Sequence, residues 1–295
     1  MILVVGNLTW DRLVEVDDLP RPNQDVGIRR VERFPGGAAA NVAATLALLK
    51  ENVALLSSVG DDEQGHAIVK DIARYGVDTS FIRYCKAPTS EFLVIMDRRG
   101  NRCFYLNPLE AAFQLKPSAL RNMTFQNIDR AVFVGCNLDL AKHLVNLLEQ
   151  QAAFFANMGF WISSRELKSN SLEFLHRMRC LFANLAEFKM LPNRISQHVT
   201  SRAFLEHSRQ LVLTNGEKDA LVYTPSRRTN VSPVRLRHVE NTLGCGDAFM
   251  GAYIAGYING LSPVKCCVMA HKCASHVAAI RCERSIALKT HFPLI

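Results

Sequence analysis

Asn241-Thr-Leu-Gly-Cys-Gly-Asp-Ala-Phe-Met-Gly251 joins a glycine-rich turn to the start of an apolar run. Gly244 and Gly246 remove the side chains that would hinder a tight turn, and Asp247 opens a segment whose first N–H groups have no intrahelical partner. Such a turn is an anion hole, because converging N–H groups and the positive end of the helix dipole can hold a phosphoryl group. A carboxylate beside that hole can accept the proton of an attacking hydroxyl. Asp247 is therefore the candidate base, with Gly244, Cys245 and Gly246 as the hole. An ordinary helix N-cap after a glycine turn explains this stretch equally well on its own. The rest of the chain has to decide.

Toward the N-terminus, Gly36-Gly37-Ala38-Ala39-Ala40-Asn41 opens an Ala- and Leu-rich segment, 38–49, that reads as a buried helix. Paired glycines let a ligand touch backbone, and Asn41 offers a hydroxyl both a donor and an acceptor, although an alanine-rich helix start explains the stretch better on its own. No G-x-x-x-x-G-K-[ST] and no G-x-G-x-x-G occurs, so a nucleotide would be held without a Walker loop. Strand patterns at 2–5, 53–59, 131–134, 152–155, 180–183, 210–213 and 220–223 alternate with helical ones at 38–49, 64–75, 138–150 and 172–178. Two helical patterns, 247–258 and 264–280, close the chain. This order predicts an α/β fold, a mostly parallel sheet covered on both faces, with ligands beyond the strands' carboxyl ends. Segments 10–34 and 85–106 break the alternation with short polar-apolar strands, and predict a small β lid on a single domain spanning 1–295.

Composition narrows the partner. The chain has 295 residues, 48% hydrophobic and 21% charged, which excludes a disordered bulk. Lys plus Arg exceeds Asp plus Glu by 35 − 27, giving +8. The excess comes in loop pairs and triplets (Arg29, Arg30 and Arg33; Arg98 and Arg99; Arg227 and Arg228) without a basic helix or interleaved aromatics. Nucleic acid is not the expected partner, and a phosphate-bearing small molecule stays open. If they face inward, Arg29, Arg30, Arg33, Arg98 and Arg99 bias the pocket toward an anion. No apolar run is long enough to span a membrane, the first residues lack a basic leader, and nine scattered cysteines read as reduced thiols, so a cytoplasmic location is expected. The Cys- and His-rich run 266–276 resembles a metal site. At about 100° per residue, however, Cys267 and His271 share one helix face and Cys273 and His276 the other, so it reads as a packing helix.

The two glycine motifs, in this order and near opposite ends of the chain, resemble the ribokinase-like (PfkB) family of sugar kinases. The resemblance extends to Gly6 through Asp11, to Ser58-Val-Gly60-Asp-Asp62-Glu-Gln-Gly65, and to Gly76-Val-Asp78-Thr79. It continues through Pro88-Thr89-Ser90 with Asp97, Gly100 and Arg102, through Asn184-Leu-Ala-Glu187, and through Thr214-Asn-Gly216. It implies a ribokinase-like three-layer α/β/α sandwich with a β-flap lid, and transfer of the ATP γ-phosphoryl group to a hydroxyl of a sugar or sugar-like molecule. By the same resemblance Asp11, Gly36, Gly37 and Asn41 hold the substrate, and Asp247 deprotonates it. Asn184, Thr214 and Gly216 contact ATP, Glu187 organises Mg2+ through water, and a homodimer through the lid is plausible. A nucleoside is the nearest competing substrate, and a catalytically weak sugar- or nucleotide-binding sensor is the rival of another class.

Some positions depart from the family pattern. Asn241 stands where an Asp is usual, and Arg281-Cys282-Glu283-Arg284 follows the last helix where a Gly-containing loop is usual, which predicts weak or absent activation by a monovalent cation. Cys245 replaces the commoner Ala, and Asn157 a strand-end Asp. Asp219 replaces a Gly, a position expected to require φ > 0.

Overall fold

The computed structural model describes residues 1–107, 110–206, 209–240 and 242–279. Its strands are β1 (Ile2–Gly6), β2 (Thr9–Val16), β3 (Ile28–Gly36), β4 (Val53–Gly60), β5 (Ile82–Cys85), β6 (Glu91–Met96), β7 (Arg102–Leu106), β8 (Arg130–Val134), β9 (Ala153–Asn157), β10 (Met178–Asn184), β11 (Gln210–Asn215), β12 (Lys218–Tyr223) and β13 (Arg228–Val231). The helices are α1 (Ala38–Leu48), α2 (Glu63–Ala73), α3 (Leu138–Leu148), α4 (Gly159–Ser163), α5 (Leu172–Leu175), α6 (Leu185–Lys189), α7 (Asn193–Thr200), α8 (Arg202–Leu205), α9 (Cys245–Ile258) and α10 (Pro263–Ala278).

Nine strands form one sheet in the order β13-β12-β11-β10-β9-β8-β1-β4-β5. From β11 to β5 all neighbours are parallel, and β12 and β13 add an antiparallel edge. Alternation along β1 divides the core. Ile2 and Val4 pack on one face with α1, α9 and α10, while Leu3 and Val5 pack on the other with α3 and its successors. Strands buried on both faces read as continuous apolar runs, which is why β1, β4 and β8 were legible. The predicted helix at 172–178 shrinks to α5, because Met178 already begins β10. Asp219 sits within β12 and is not among the residues with positive φ, so the strain expected there does not arise.

A second sheet, β3-β2-β6-β7, forms the lid. Asp11 pairs with Phe34 and Phe92, and Val94 with Phe104, so Asp11, Phe34, Phe92, Val94, Arg102 and Phe104 share one face. That face packs on the turn before α9: Leu13, Phe34 and Val94 form a small core with Leu243 against it. Asp62 hinges this sheet to the main body. It caps α2 through the Gly65 N–H (2.8 Å) and accepts from the Thr89 N–H (2.8 Å) and hydroxyl (2.6 Å) at the start of the β6–β7 hairpin. Despite burial, which pushes the other way, those bonds hold the Asp62 carboxyl below its ordinary range.

Among the described residues no helix is long and apolar enough to cross a membrane. In α10, Cys266, Cys267 and Cys273 are core residues, and His271 donates Nε2–H to the Val231 carbonyl (3.0 Å) and packs edge-on against Phe249.

Candidate active site

The site is set by where two helices begin. α9 is apolar around its whole circumference, the pattern of a helix buried on every side, and it lies between α1 and α10. At Gly251 an added Cβ would sit 2.8 Å from the Thr45 side chain, so α1 and α9 touch through a missing side chain. One turn earlier on each helix stand Asp247 and Asn41, and the Asn41 Nδ2–H donates to Asp247 Oδ2 at 2.8 Å across 206 positions of sequence. Asn41 Oδ1, buried in the same place, has no hydrogen-bond partner. It is an acceptor waiting for a donor, since a buried polar atom left unpaired is costly.

Gly244 adopts φ 70° and reverses the chain directly before α9. The first N–H groups of the helix then point toward the cleft, together with Asp247. Asp247 is partly exposed to the cleft yet surrounded by protein. Burial pushes its carboxyl up to about 7, the Asn41 bond opposes this, and the charges of Asp11 and Glu187 add to it. Cys245 is pushed up to about 11, by burial first with Arg102 opposing, so its thiol stays protonated at neutral pH.

A cleft of about 410 Å3 lies over these helix starts and under the lid. Asp11, Gly36, Gly37, Asn41, Asn184, Glu187, Thr214, Gly244, Gly246 and Asp247 all line it. Cys245 and Gly216 do not. Gly216, at φ 60°, turns the β11–β12 hairpin. The Asp11 carboxyl occupies the space a Cβ on Gly36 would fill (2.1 Å) and accepts from the Thr9 hydroxyl (2.6 Å). At the far end Asn184 and Glu187 form a reciprocal capping box on α6: the Glu187 N–H donates to Asn184 Oδ1 (2.7 Å), and the Asn184 N–H to Glu187 Oε2 (3.0 Å). Burial raises the Glu187 carboxyl, with the Asn184 bond opposing. Asn157 also lines the cleft, and its Oδ1 accepts from the Gly159 N–H (2.7 Å). Asn241 and Arg281–Arg284, on which the cation expectation rests, lie outside the described residues.

Sequence reading left the lid's contribution to the wall unassigned: Phe34, Phe92, Phe104 and Arg102. The available signal was the two-residue alternation of β6 and β7, which puts Phe92, Val94, Arg102 and Phe104 on one face once their pairing is known. The five arginines expected to bias the pocket do not line it. Arg29 and Arg98 engage Asp17, Arg99 lies 3.8 Å from Asp18, Arg30 pairs with Glu32, and Arg33 is on the lid face opposite Asp11.

Comparisons with known proteins bear on this geometry. A nucleoside kinase of Methanocaldococcus jannaschii is 24% identical over 97% of this chain and 93% of its own length. An ATP-dependent ribose-1-phosphate kinase of Halopiger xanaduensis is 27% identical over 96% and 94%. The structure of Burkholderia thailandensis nucleoside kinase in complex with inosine superposes with a TM-score of 0.81 at 18% identity, covering 96% of this chain and 91% of that one, and shares the fold. The family model for pfkB family carbohydrate kinases matches residues 1–284, so the helix start at Asp247, the Asn41 contact and the lidded cleft belong to a member of that family.

Proposed function

We propose that the protein transfers the γ-phosphoryl group of ATP to a hydroxyl of a small sugar-containing molecule, with Asp247 as the base. The observation that carries this is the Asp247–Asn41 contact: a carboxyl with its pKa raised to about 7 beside a buried Asn41 Oδ1 that lacks a donor. With a neighbouring hydroxyl of the same molecule donating to Asn41 Oδ1, a substrate hydroxyl placed there gives its single proton to Asp247. Its O–H bond breaks toward Asp247, its oxygen bonds the γ-phosphorus, and the bond from that phosphorus to the bridging oxygen breaks to release ADP. Backbone N–H groups of Cys245, Gly246 and Asp247 stabilise the charge on the phosphoryl oxygens, where each such donor is typically worth on the order of 100- to 1,000-fold in rate. Asp11, with Gly36 and Gly37 beside it, holds the other hydroxyls, and closure of the lid excludes water that would otherwise accept the phosphoryl group.

Asn184, Thr214 and the Gly216 turn form the ATP end. Glu187 fits a divalent cation: it is a hard-oxygen donor whose burial penalty a nearby positive charge would offset. Glu187 would hold Mg2+ through water, and the cation would supply positive charge to neutralise the phosphates. The eight described cysteines are all free thiols, which fits a reducing compartment such as the cytoplasm. Two copies pair through their lids.

A nucleoside acceptor is the second reading, favoured by the edge-to-face Phe92–Phe104 pair (6.1 Å) on the cleft side of the lid, an aromatic surface suited to a base. ADP release measured over free sugars, sugar phosphates and nucleosides tests both readings, with Asp247→Ala as control. Turnover of at least one acceptor, falling by roughly 100- to 10,000-fold in the variant, is expected. Turnover indifferent to the variant removes Asp247 from its role, and binding without ADP release from any acceptor makes the protein a sensor.

A further inference from the structure

Arg102 is the only Arg or Lys among the described residues that line the cleft. It projects from β7 on the same face of the lid as Asp11 and Phe104, with its guanidinium over the Phe104 ring at 5.8 Å. Every other lid arginine named above either meets a carboxylate or lies on the opposite face. Among the described residues no carboxylate lies within 4.0 Å of Arg102, so it makes no direct ion pair, although Asp11, Glu187 and Asp247 line the same cleft. Burial pushes its pKa below the ordinary value, and the nearest opposing influence is Cys245, two positions before Asp247. A guanidinium held in a half-closed cleft without an anion pays a desolvation cost that a bound anion would offset. Its planar fork suits phosphate and carboxylate oxygens, two at a time.

The Arg102 guanidinium lies against the ring of Phe104 on the cleft face of the lid. Arg102, Asn41 and Asp247 line the same cleft of about 410 Å3, so an anion at the fork and a hydroxyl between Asn41 and Asp247 can belong to one small molecule. A neutral sugar or a nucleoside brings no anionic group of its own to the fork, which is then left to the phosphates of ATP.

We propose that Arg102 is a specificity residue that selects an acceptor already carrying an anionic group, a phosphate ester or a carboxylate, on the sugar that receives the new phosphoryl group. The inference rests on the kinase reading above and narrows its substrate class. The reaction that feeds this enzyme is then one that leaves a sugar ester or sugar acid with a free hydroxyl, and its product carries two anionic groups.

The experiment measures kcat and KM by ADP release with ribose and fructose, their monophosphate esters, gluconate, and a set of nucleosides. Wild type, Arg102→Gln and Arg102→Lys are compared, and binding of each acceptor without ATP is followed by calorimetry. Wild type is expected to prefer an ester or the acid, and whichever is preferred identifies the anion. In Arg102→Gln the ratio of kcat/KM for that acceptor to kcat/KM for its neutral parent falls roughly 10- to 100-fold, mainly through KM, and Arg102→Lys recovers part of it. A wild-type preference for neutral sugars or nucleosides overturns the proposal. So does an Arg102→Gln variant whose kcat falls equally for neutral and anionic acceptors, which would put the guanidinium on the transferring phosphoryl group. Absence of ADP release with every acceptor defeats the kinase reading instead. In that case calorimetry still decides the role of Arg102, by loss or retention of anionic-sugar binding in Arg102→Gln.

Discussion

Asp247 shows how one carboxyl can be useful because its environment opposes its charge. Burial raises its pKa from the ordinary 3.8 to about 7, so near neutrality the group both accepts and returns a proton readily. For the free enzyme, kcat/KM should rise with pH through about 7 as Asp247 ionises, and a flat profile from pH 5.5 to 8.5 would contradict its role as base. The same shift has a stability consequence of defined sign. Between about pH 4 and 7 the folded chain holds more proton at this site than the unfolded chain, so the site's contribution is full below pH 4 and is lost as pH rises through 7. Asp247→Asn keeps an acceptor for Asn41 and removes the charge. At pH 8 the variant should melt several degrees above wild type while losing activity, and by pH 5 the gap in Tm should close.

At the level of elements, α1 and α9 must lie side by side for the site to exist. Gly251 permits this, since a Cβ there meets the Thr45 side chain at 2.8 Å, one turn from the Asn41–Asp247 bond. Gly251→Ala is expected to cost about 1–3 kcal/mol through overpacking. It should also lower kcat by roughly 10- to 100-fold, because a displacement near 1 Å is enough to misplace a base. Gly27→Ala is the control: its Cβ meets nothing within 4 Å, and neither Tm nor kcat should move. Wild-type kcat in Gly251→Ala would show that the close approach packs the core without aligning the site.

Across the whole molecule, the lid meets both the cleft and its surroundings. On its cleft side Phe104 is 53% exposed above the site, and on the other side Val31 and Tyr105 are 44% and 55% exposed. Apolar groups on both faces of a thin sheet suit a second copy of the chain on the side away from substrate. Light scattering should give a mass of twice 33.0 kDa, with Tyr105→Glu shifting it toward one chain; a monomeric wild type at micromolar concentration would exclude the lid pairing. The +8 charge takes on a local meaning at this scale. Most of the lid's basic side chains lie beside carboxylates, and among the described residues one, Arg102, lines the cleft.

Much of this protein was legible in its residues because the signals were local. Apolar runs bounded by turns gave β1, β4 and β8 and the order of strand and helix, and the glycine turns marked both helix starts that build the site. Asn41 and Asp247 could each be named as candidates from their own motifs, a donor-acceptor amide after paired glycines and a carboxylate after a turn, but it took the two motifs in this order along the chain to favour a shared site over ordinary helix starts. What the residues alone did not decide is which side chains face the cleft. Arg102 and Arg99 are both lid arginines in one hairpin, yet strand pairing turns Arg102 inward over Phe104 and leaves Arg99 near Asp18. Sequence determined the fold class and the family and singled out Asp247 as the candidate base, because these follow from short-range pattern and backbone chemistry. Tertiary structure decided the raised pKa of Asp247, the orphaned oxygen of Asn41 and the inward turn of Arg102 to the cleft wall, because burial and pairing depend on residues brought together from distant parts of the chain.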